Sequence, residues 1–242
     1  TLVDTAHRAN VPLLVGHHRR HNPLIQKAHE LISTGEIGQV RAVHANCWFY
    51  KPDYYFDEAP WRKKKGAGPI SVNLVHDVDL IRYLCGNVVS VQAHATPSLR
   101  GFENEDVSAA ILHFENGAIG TVTVSDSVVA PWSWEMTARE NPRYPPTSQN
   151  CYMIGGSEGS LSLPDLTVWR HSGKPDWWTP ILAKALPREA SDPLINQIYN
   201  FAAVINGEQD AVAPGTEGLK TLEVLEAIQR AAVSREQITI AI

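Results

Sequence analysis

From Gln39 onward the period of the apolar residues changes to two, and a capped stretch of helical length interrupts the strands that follow. Period two sends successive side chains to opposite faces of a sheet, so such a chain is committed to strands with one covered face. Val40, Ala42, His44, Asn46 and Trp48 are expected on one side, with Val43, Ala45 and Cys47 on the other. Val89, Val91, Ala93 and Ala95 alternate with polar residues in the same way. Residues 107–114 and 118–125 flank Asn116-Gly117, a strong hairpin signal. Residues 134–137 and 151–155 read as further strands, and 159–163 with 167–170 as a terminal pair. The polar, Pro-rich segment 140–149 reads as a mobile loop.

The break in the alternation runs from Gly66 to Gly86. Pro69 suits a first helical turn and Gly86 a helix stop. At 100° per residue Leu74, Val78, Ile81 and Cys85 cluster on one side, and Asn73, His76, Asp79, Leu80 and Tyr83 on the other. The second side carries an imidazole, which exchanges a proton near neutral pH and could meet a reacting hydroxyl. The plainer reading is that His76 and Asp79 sit on a solvated helix face.

Other helices carry clear punctuation. Leu2, Val3, Ala6 and Ala9 mark a short one. Asn22-Pro23 supplies a cap and a first-turn proline, Leu24, Ile25, Ala28, Leu31 and Ile32 a stripe, and Gly35 a stop. Ser191 or Asp192 opens a helix with Leu194, Ile198, Phe201, Ala202 and Ile205 as its stripe, and a last helix starts near Thr216. Between the first two lies Pro12-Leu13-Leu14-Val15-Gly16, an unbroken apolar run of the kind buried on both faces of a parallel sheet. One strand makes no sheet and position 1 is not Met, so the reading predicts either more sheet upstream of Thr1 or a vestigial segment packed on something else. The expected architecture is α+β. Residues 1–21 read as the last α/β step of a parallel-sheet domain, and 22–242 as an open, mostly antiparallel sheet with helices on one face. Its uncovered face, lined with small apolar residues, predicts a homodimer or homotetramer.

A net charge of −5 without basic blocks argues against nucleic acid or an anionic membrane as partner. No apolar run approaches the roughly 20 residues of a spanning helix. Cys47, Cys85 and Cys151 are too scattered for a disulfide framework or a zinc knuckle, and fit a reducing cytoplasm.

His17, His18 and His21, with Arg19 and Arg20, follow the apolar run directly, where doubly wound folds bind ligands. They could hold a nicotinamide, a phosphate or a metal, or form a solvated basic turn. No metal is expected, because the spacing matches no zinc pattern. The loop 50–65 is aromatic and basic, with Tyr54, Trp61 and Arg62. Trp61 and Arg62 could stack on a ring and pair with an oxygen, or anchor the loop. Gly66 with Gly68, and Gly155-Gly156 with Gly159, lack the preceding strand of a phosphate-binding turn; the second set reads as a tight turn between strands.

The order of these segments is more specific than any one of them. Gly-His-His-Arg-Arg-His-Asn-Pro is followed by Ser-Thr-Gly-Glu-Ile-Gly, Pro-Trp-Arg and Gly-Ala-Gly-Pro, then Asn-Leu-Val-His-Asp-Val-Asp-Leu and Leu-Cys-Gly. Over essentially its whole length the chain resembles the Gfo/Idh/MocA family of NAD(P)-dependent oxidoreductases. The resemblance implies a dihydrodipicolinate-reductase-like C-terminal domain after the end of a Rossmann fold. It also implies hydride transfer between a sugar, polyol or related secondary alcohol and NAD or NADP. By this resemblance His76 is the acid/base residue and Asp79 its acidic support. Asn73, Arg62 and Tyr54 would face the substrate, and His18, Arg19 and Trp61 the cofactor. Two departures stand out. Val72 occupies a position where inositol-dehydrogenase-like members carry Asp, and the family's Gly-rich turn and Glu-Lys-Pro motif would both precede Thr1. The fragment alone is therefore expected to be inactive. The alternatives are a non-catalytic sugar-sensing regulator of the same fold, and a metal-dependent hydrolase or isomerase built on His17, His21 and His76.

Overall fold

In the computed structural model, which describes residues 1–189 and 191–240, helix α1 (Leu2–Ala9) opens on a capping box from Thr1. Asn22 accepts the Leu24 N–H at 2.9 Å and so caps α2 (Pro23–Ser33). Strand β1 (Val40–Trp48) follows, then two short helices, α3 (Asp53–Asp57) and α4 (Pro69–Val72), and the longer α5 (Leu74–Cys85). Next come β2 (Val88–Pro97), β3 (Glu105–Phe114), β4 (Ile119–Ser125) and the single-turn α6 (Trp134–Thr137). The chain continues through β5 (Tyr152–Gly156), β6 (Ser160–Leu163), β7 (Thr167–His171) and β8 (Ile181–Ala185). It ends with α7 (Pro193–Ile205), α8 (Gly215–Ser234) and β9 (Ile238–Thr239). Among the described residues no helix is long and apolar enough to cross a membrane.

The strands form one sheet in the order β8-β7-β6-β5-β1-β4-β3-β2-β9. Neighbours run antiparallel except β1 and β4, which are parallel. The inner face presents Val43, Ala45 and Cys47 of β1, Leu112 of β3 and Val122 and Val124 of β4, all buried. Leu74, Val78, Ile81 and Cys85 of α5 and Val224 and Ile228 of α8 belong to the same core. Each Val, Leu and Ile among them contributes about 1.5–3 kcal/mol when fully removed from water. This mixed, mostly antiparallel open sheet with helices on one side matches the expected class.

Several local expectations give way to tertiary context. Pro12-Leu13-Leu14-Val15-Gly16 forms no strand. It makes one bridge, Leu14 with Pro214, beside the 213–215 backbone, and its side chains are exposed or half-buried. Residues 134–137 are helical: the Ser133 hydroxyl accepts the Met136 N–H at 3.3 Å, and a local cap outweighs weak alternation. The expected 66–86 helix is divided at Asn73, whose backbone (φ −113°, ψ −55°) joins α4 to α5. Its second side is covered as well, since Asp79 and Leu80 are buried. Val40 is buried out of phase because the register shifts between Val40 and Ala42. Gly155-Gly156 and Gly159 do flank the tight turn between β5 and β6, closed by the Gly156 N–H donating to the Gly159 carbonyl at 2.7 Å, and a Cβ on Gly156 would lie 2.0 Å from the Ile37 carbonyl oxygen. Strands β8 and β9 had no strong pattern and add the two sheet edges.

A buried polar cluster ties loop 50–65 to the sheet end. Lys51 Nζ lies 3.9 Å from Asp126, whose carboxylate also meets Arg100 at 3.3 Å, and Asp106 accepts the Leu99 N–H. Burial pushes Asp126 up to about 6, against the pull of Lys51 and Arg100. Because folding raises this pKa, the stability it contributes is present at low pH and is lost as pH rises from about 4 to 6. Asp126→Asn imitates the protonated carboxyl. Denaturant titrations should therefore show the variant gaining on the wild type across that window; a difference independent of pH would contradict the assignment.

Candidate active site

His76 lies in the first turn of α5, where its backbone N–H closes on the Asn73 carbonyl at 3.1 Å. Its ring stands edge-on to that of His18, with centroids 5.7 Å apart. His18 belongs to a 3-10 turn, His18–His21, that leads into α2. The two imidazoles open into a cleft of about 410 Å³. Trp134 and Glu135 of α6, Glu140 and Tyr144 of the following segment, and the start of α7 form its walls. Burial, then the charges of Arg19, His18 and His17, lower the His76 pKa to about 3. At neutral pH the ring is uncharged, free to accept a hydrogen bond or a proton.

The segment expected to be a mobile loop is this cleft's wall. Tyr144 packs edge-on against Phe49 at 5.1 Å, and Thr147 N–H donates to the Met136 carbonyl at 2.7 Å.

Beneath the cleft the Arg19 guanidinium is buried and engaged through both terminal nitrogens, while its Nε is without a partner. It donates to Asp77 at 3.0 Å, to the Tyr152 hydroxyl at 3.3 Å and to Glu135 at 2.6 Å, while Tyr152 donates to Asp77. Burial raises the Asp77 pKa against the opposing charge of Arg19. Burial also opposes the Arg19 charge, but Glu135 and Asp77 override it and hold its pKa up. Arg19 thus acts as a strut that fixes the His18 turn to α5, α6 and β5. One oxygen each of Asp77 and Glu135 is buried without a hydrogen-bond partner, as is Asn73 Oδ1 one turn before His76. A buried acceptor left open is costly unless a hydroxyl or a water satisfies it.

Asp79 faces away from the cleft. Arg20 grips it through Nη2 at 2.7 Å and Nε at 2.9 Å, Thr221 adds a bond at 3.3 Å, and His17 Nε2 stands 3.6 Å off. Arg82 extends the cluster to Thr221 and Glu217 of α8. Tyr54, Trp61 and Arg62 lie on a separate loop and do not line the cleft. Arg62 stacks over Tyr55 at 3.9 Å and donates to its carbonyl, while Tyr54 and Trp61 are exposed. The structure therefore gathers His18, Arg19 and His76, seats Asn73 just before His76, and sets Asp79 behind the site. His17 faces Asp79, and among the described residues no three His, Cys, Asp or Glu side chains are arranged to hold a metal ion.

Sequence reasoning missed Asp77, Glu135, Glu140 and Tyr152. Asp77 adjoins His76 on the helix and could have been flagged as an acid on an apolar flank. The other three are far away in the chain and carry no local signal.

The family model described as the GFO/IDH/MocA C-terminal domain matches residues 25–162. A 1-carboxy-3-chloro-3,4-dihydroxycyclohexa-1,5-diene dehydrogenase of Comamonas testosteroni is 31% identical over 126 residues, which are 50% of this chain and 30% of that protein. A D-apiose dehydrogenase of Paraburkholderia graminis is 25% identical over 233 residues, 93% of this chain and 58% of that protein. This chain thus spans less than two thirds of the length of either relative. Among solved structures, the WlbA dehydrogenase of Bordetella pertussis in complex with NADH and UDP-GlcNAcA superposes with a TM-score of 0.74 at 24% identity, covering 99% of this chain and 66% of that one. With the family model covering more than half its length, the chain belongs to the Gfo/Idh/MocA family through that family's C-terminal domain.

Proposed function

We propose that this chain forms the substrate side of an NAD(P)-dependent oxidoreductase acting on a sugar, a polyol or a related secondary alcohol. The observation that carries the reading is an uncharged His76 facing His18 in a walled cleft. Both curated relatives are named dehydrogenases, and the WlbA complex holds NADH with a sugar nucleotide. In this reading residues 1–21 belong with a dinucleotide-binding domain and 22–242 supply substrate contacts. A reducing, cytoplasmic setting suits the three buried free cysteines.

The residues fit one flank of a nicotinamide and not its phosphates. His18 lines the cleft, Trp61 offers an exposed indole on the separate loop 50–65, and Arg19 is spent on Asp77 and Glu135. When bound, the cofactor supplies the hydride acceptor or donor. The chain's own work is then proton handling and orientation. His76 accepts the substrate hydroxyl's proton, and Asn73, buried one turn before it, supports the substrate end of the helix from behind the cleft.

The test is reduction of NAD+ or NADP+ by full-length protein across pentoses, hexoses and inositols. Turnover supports the reading; cofactor binding without turnover on any of them favours the sugar-sensing alternative. Residues 1–242 alone should neither turn over nor bind either dinucleotide at micromolar concentration in calorimetry.

The outer sheet face carries Ile111, Ile119 and Met153 exposed beside His44, Asn46 and Thr121, a face mixing apolar and polar side chains. We assign it to a second copy. Thr121→Arg, in the middle of this face, should convert a dimer or tetramer to monomer in light scattering, and an unchanged mass would remove the assignment.

A further inference from the structure

We propose that Glu140 is the counter-charge of the proton-transfer site, held beside His18 so that His76 can carry a proton taken from a substrate hydroxyl. The proposal deepens the oxidoreductase reading and rests on it. Glu140 begins the segment that walls the cleft, and its side chain is only 13% exposed. Asn22 Nδ2 donates to Oε1 at 2.7 Å, and Oε2 stands 3.7 Å from His18 Nε2. Burial works against its charge, but His18 beside it, the hydrogen bond from Asn22 and then the charge of Arg19 hold its pKa below the usual glutamate value. It is a carboxylate kept ionised inside a cleft.

The neighbours of His76 explain why one is needed. Arg19, His18 and His17 all disfavour a proton on its ring, and Glu140 opposes them. Glu135 and Asp77 are committed to Arg19, and Asp79 to Arg20. Arg143 and Asp192 line the outer cleft wall. When the substrate O–H bond breaks and an N–H bond forms on His76, an imidazolium appears among cations. The Glu140 carboxylate balances it through His18, and nothing changes oxidation state in that step. A carboxylate thereby reaches the site from a loop remote in sequence, while position 72 holds valine. Glu140 acts through another side chain and is a positioning residue.

The test uses full-length enzyme with whichever sugar or polyol it turns over. Glu140→Gln should lower kcat on the order of 10²-fold with KM within about threefold, and Glu140→Asp should restore part of the loss. The glutamine variant should also lack the acid limb that protonation of Glu140 imposes on the wild-type kcat profile. A readout without turnover is the carboxyl ¹³C titration of Glu140 in glutamate-labelled protein, which should move upward in His18→Asn. Wild-type kcat and pH profile in Glu140→Gln would overturn the proposal, as would a Glu140 titration indifferent to His18→Asn. Absence of turnover in the wild type would instead count against the oxidoreductase reading, and the ¹³C titration would still decide the pairing.

Discussion

Full-length protein carrying His76→Asn is expected to lose about 10²–10⁴ in kcat with KM changed by no more than a few fold. The expectation follows from the site's construction. His76 offers the uncharged imidazole in the cleft, and asparagine keeps a hydrogen-bonding side chain there but cannot take a proton. The fold should tolerate the change, since the ring is half-buried at the cleft and outside the apolar core. A second readout comes from linkage. The His76 pKa falls on folding from 6.5 to about 3, so the folded state binds fewer protons and stability declines as pH falls through that interval. His76→Asn should remove that part of the acid sensitivity. Wild-type kcat in the variant would take His76 out of the chemistry, and an unchanged acid limb of stability would contradict its burial as a neutral ring.

Asp79→Asn should act in the opposite way, costing stability rather than turnover. Its carboxylate receives Arg20 bidentately, with Thr221 as a third donor, in a place closed to solvent. Removing one member of such a pair costs about 3–5 kcal/mol, and here it leaves the buried Arg20 guanidinium only the longer contact to Glu217 at 3.4 Å. For a chain of this length that corresponds to a Tm lower by roughly 10 °C. Arg20 also stacks on Tyr83 at 4.9 Å, and Arg82 shares Thr221 and Glu217, so the damage should spread along the contact between α5 and α8. The protein that remains folded should keep kcat within a few fold. A kcat loss equal to that of His76→Asn, with Tm unchanged, would return Asp79 to the catalytic role that its sequence position implies.

These two residues lie three positions apart on one helix, and a helical wheel puts them on the same side. The wheel is right about direction and silent about cover. His76 comes out against a cleft, whereas Asp79 comes out against Arg20 and α8. The same limit applies to Arg19 and Arg20, adjacent in sequence, whose guanidinium groups serve different carboxylates on different sides of the His18–His21 turn. Motif order was legible because it consists of caps, stops and glycines that act within a few residues. Asn22 as a cap, the hairpin at Asn116-Gly117 and the alternation of β1 through β4 all appear where their local chemistry puts them. Weak alternation misled at 134–137, where Ser133 offered a cap instead. The apolar run at 12–16 makes a single bridge among these residues, since strand formation needs partners and periodicity does not count them.

What the sequence determined by itself is therefore the set of elements: a largely antiparallel sheet, a helix bearing His76 and a histidine-rich turn ahead of α2. Tertiary structure alone decided which charged groups share a space. Arg19 meets Asp77, Glu135 and Tyr152, and His18 meets Glu140, across more than a hundred residues of chain in most cases. Local propensity reaches about one helical turn, whereas burial and Coulomb interaction act through space, and the proton chemistry proposed for His76 depends on the second.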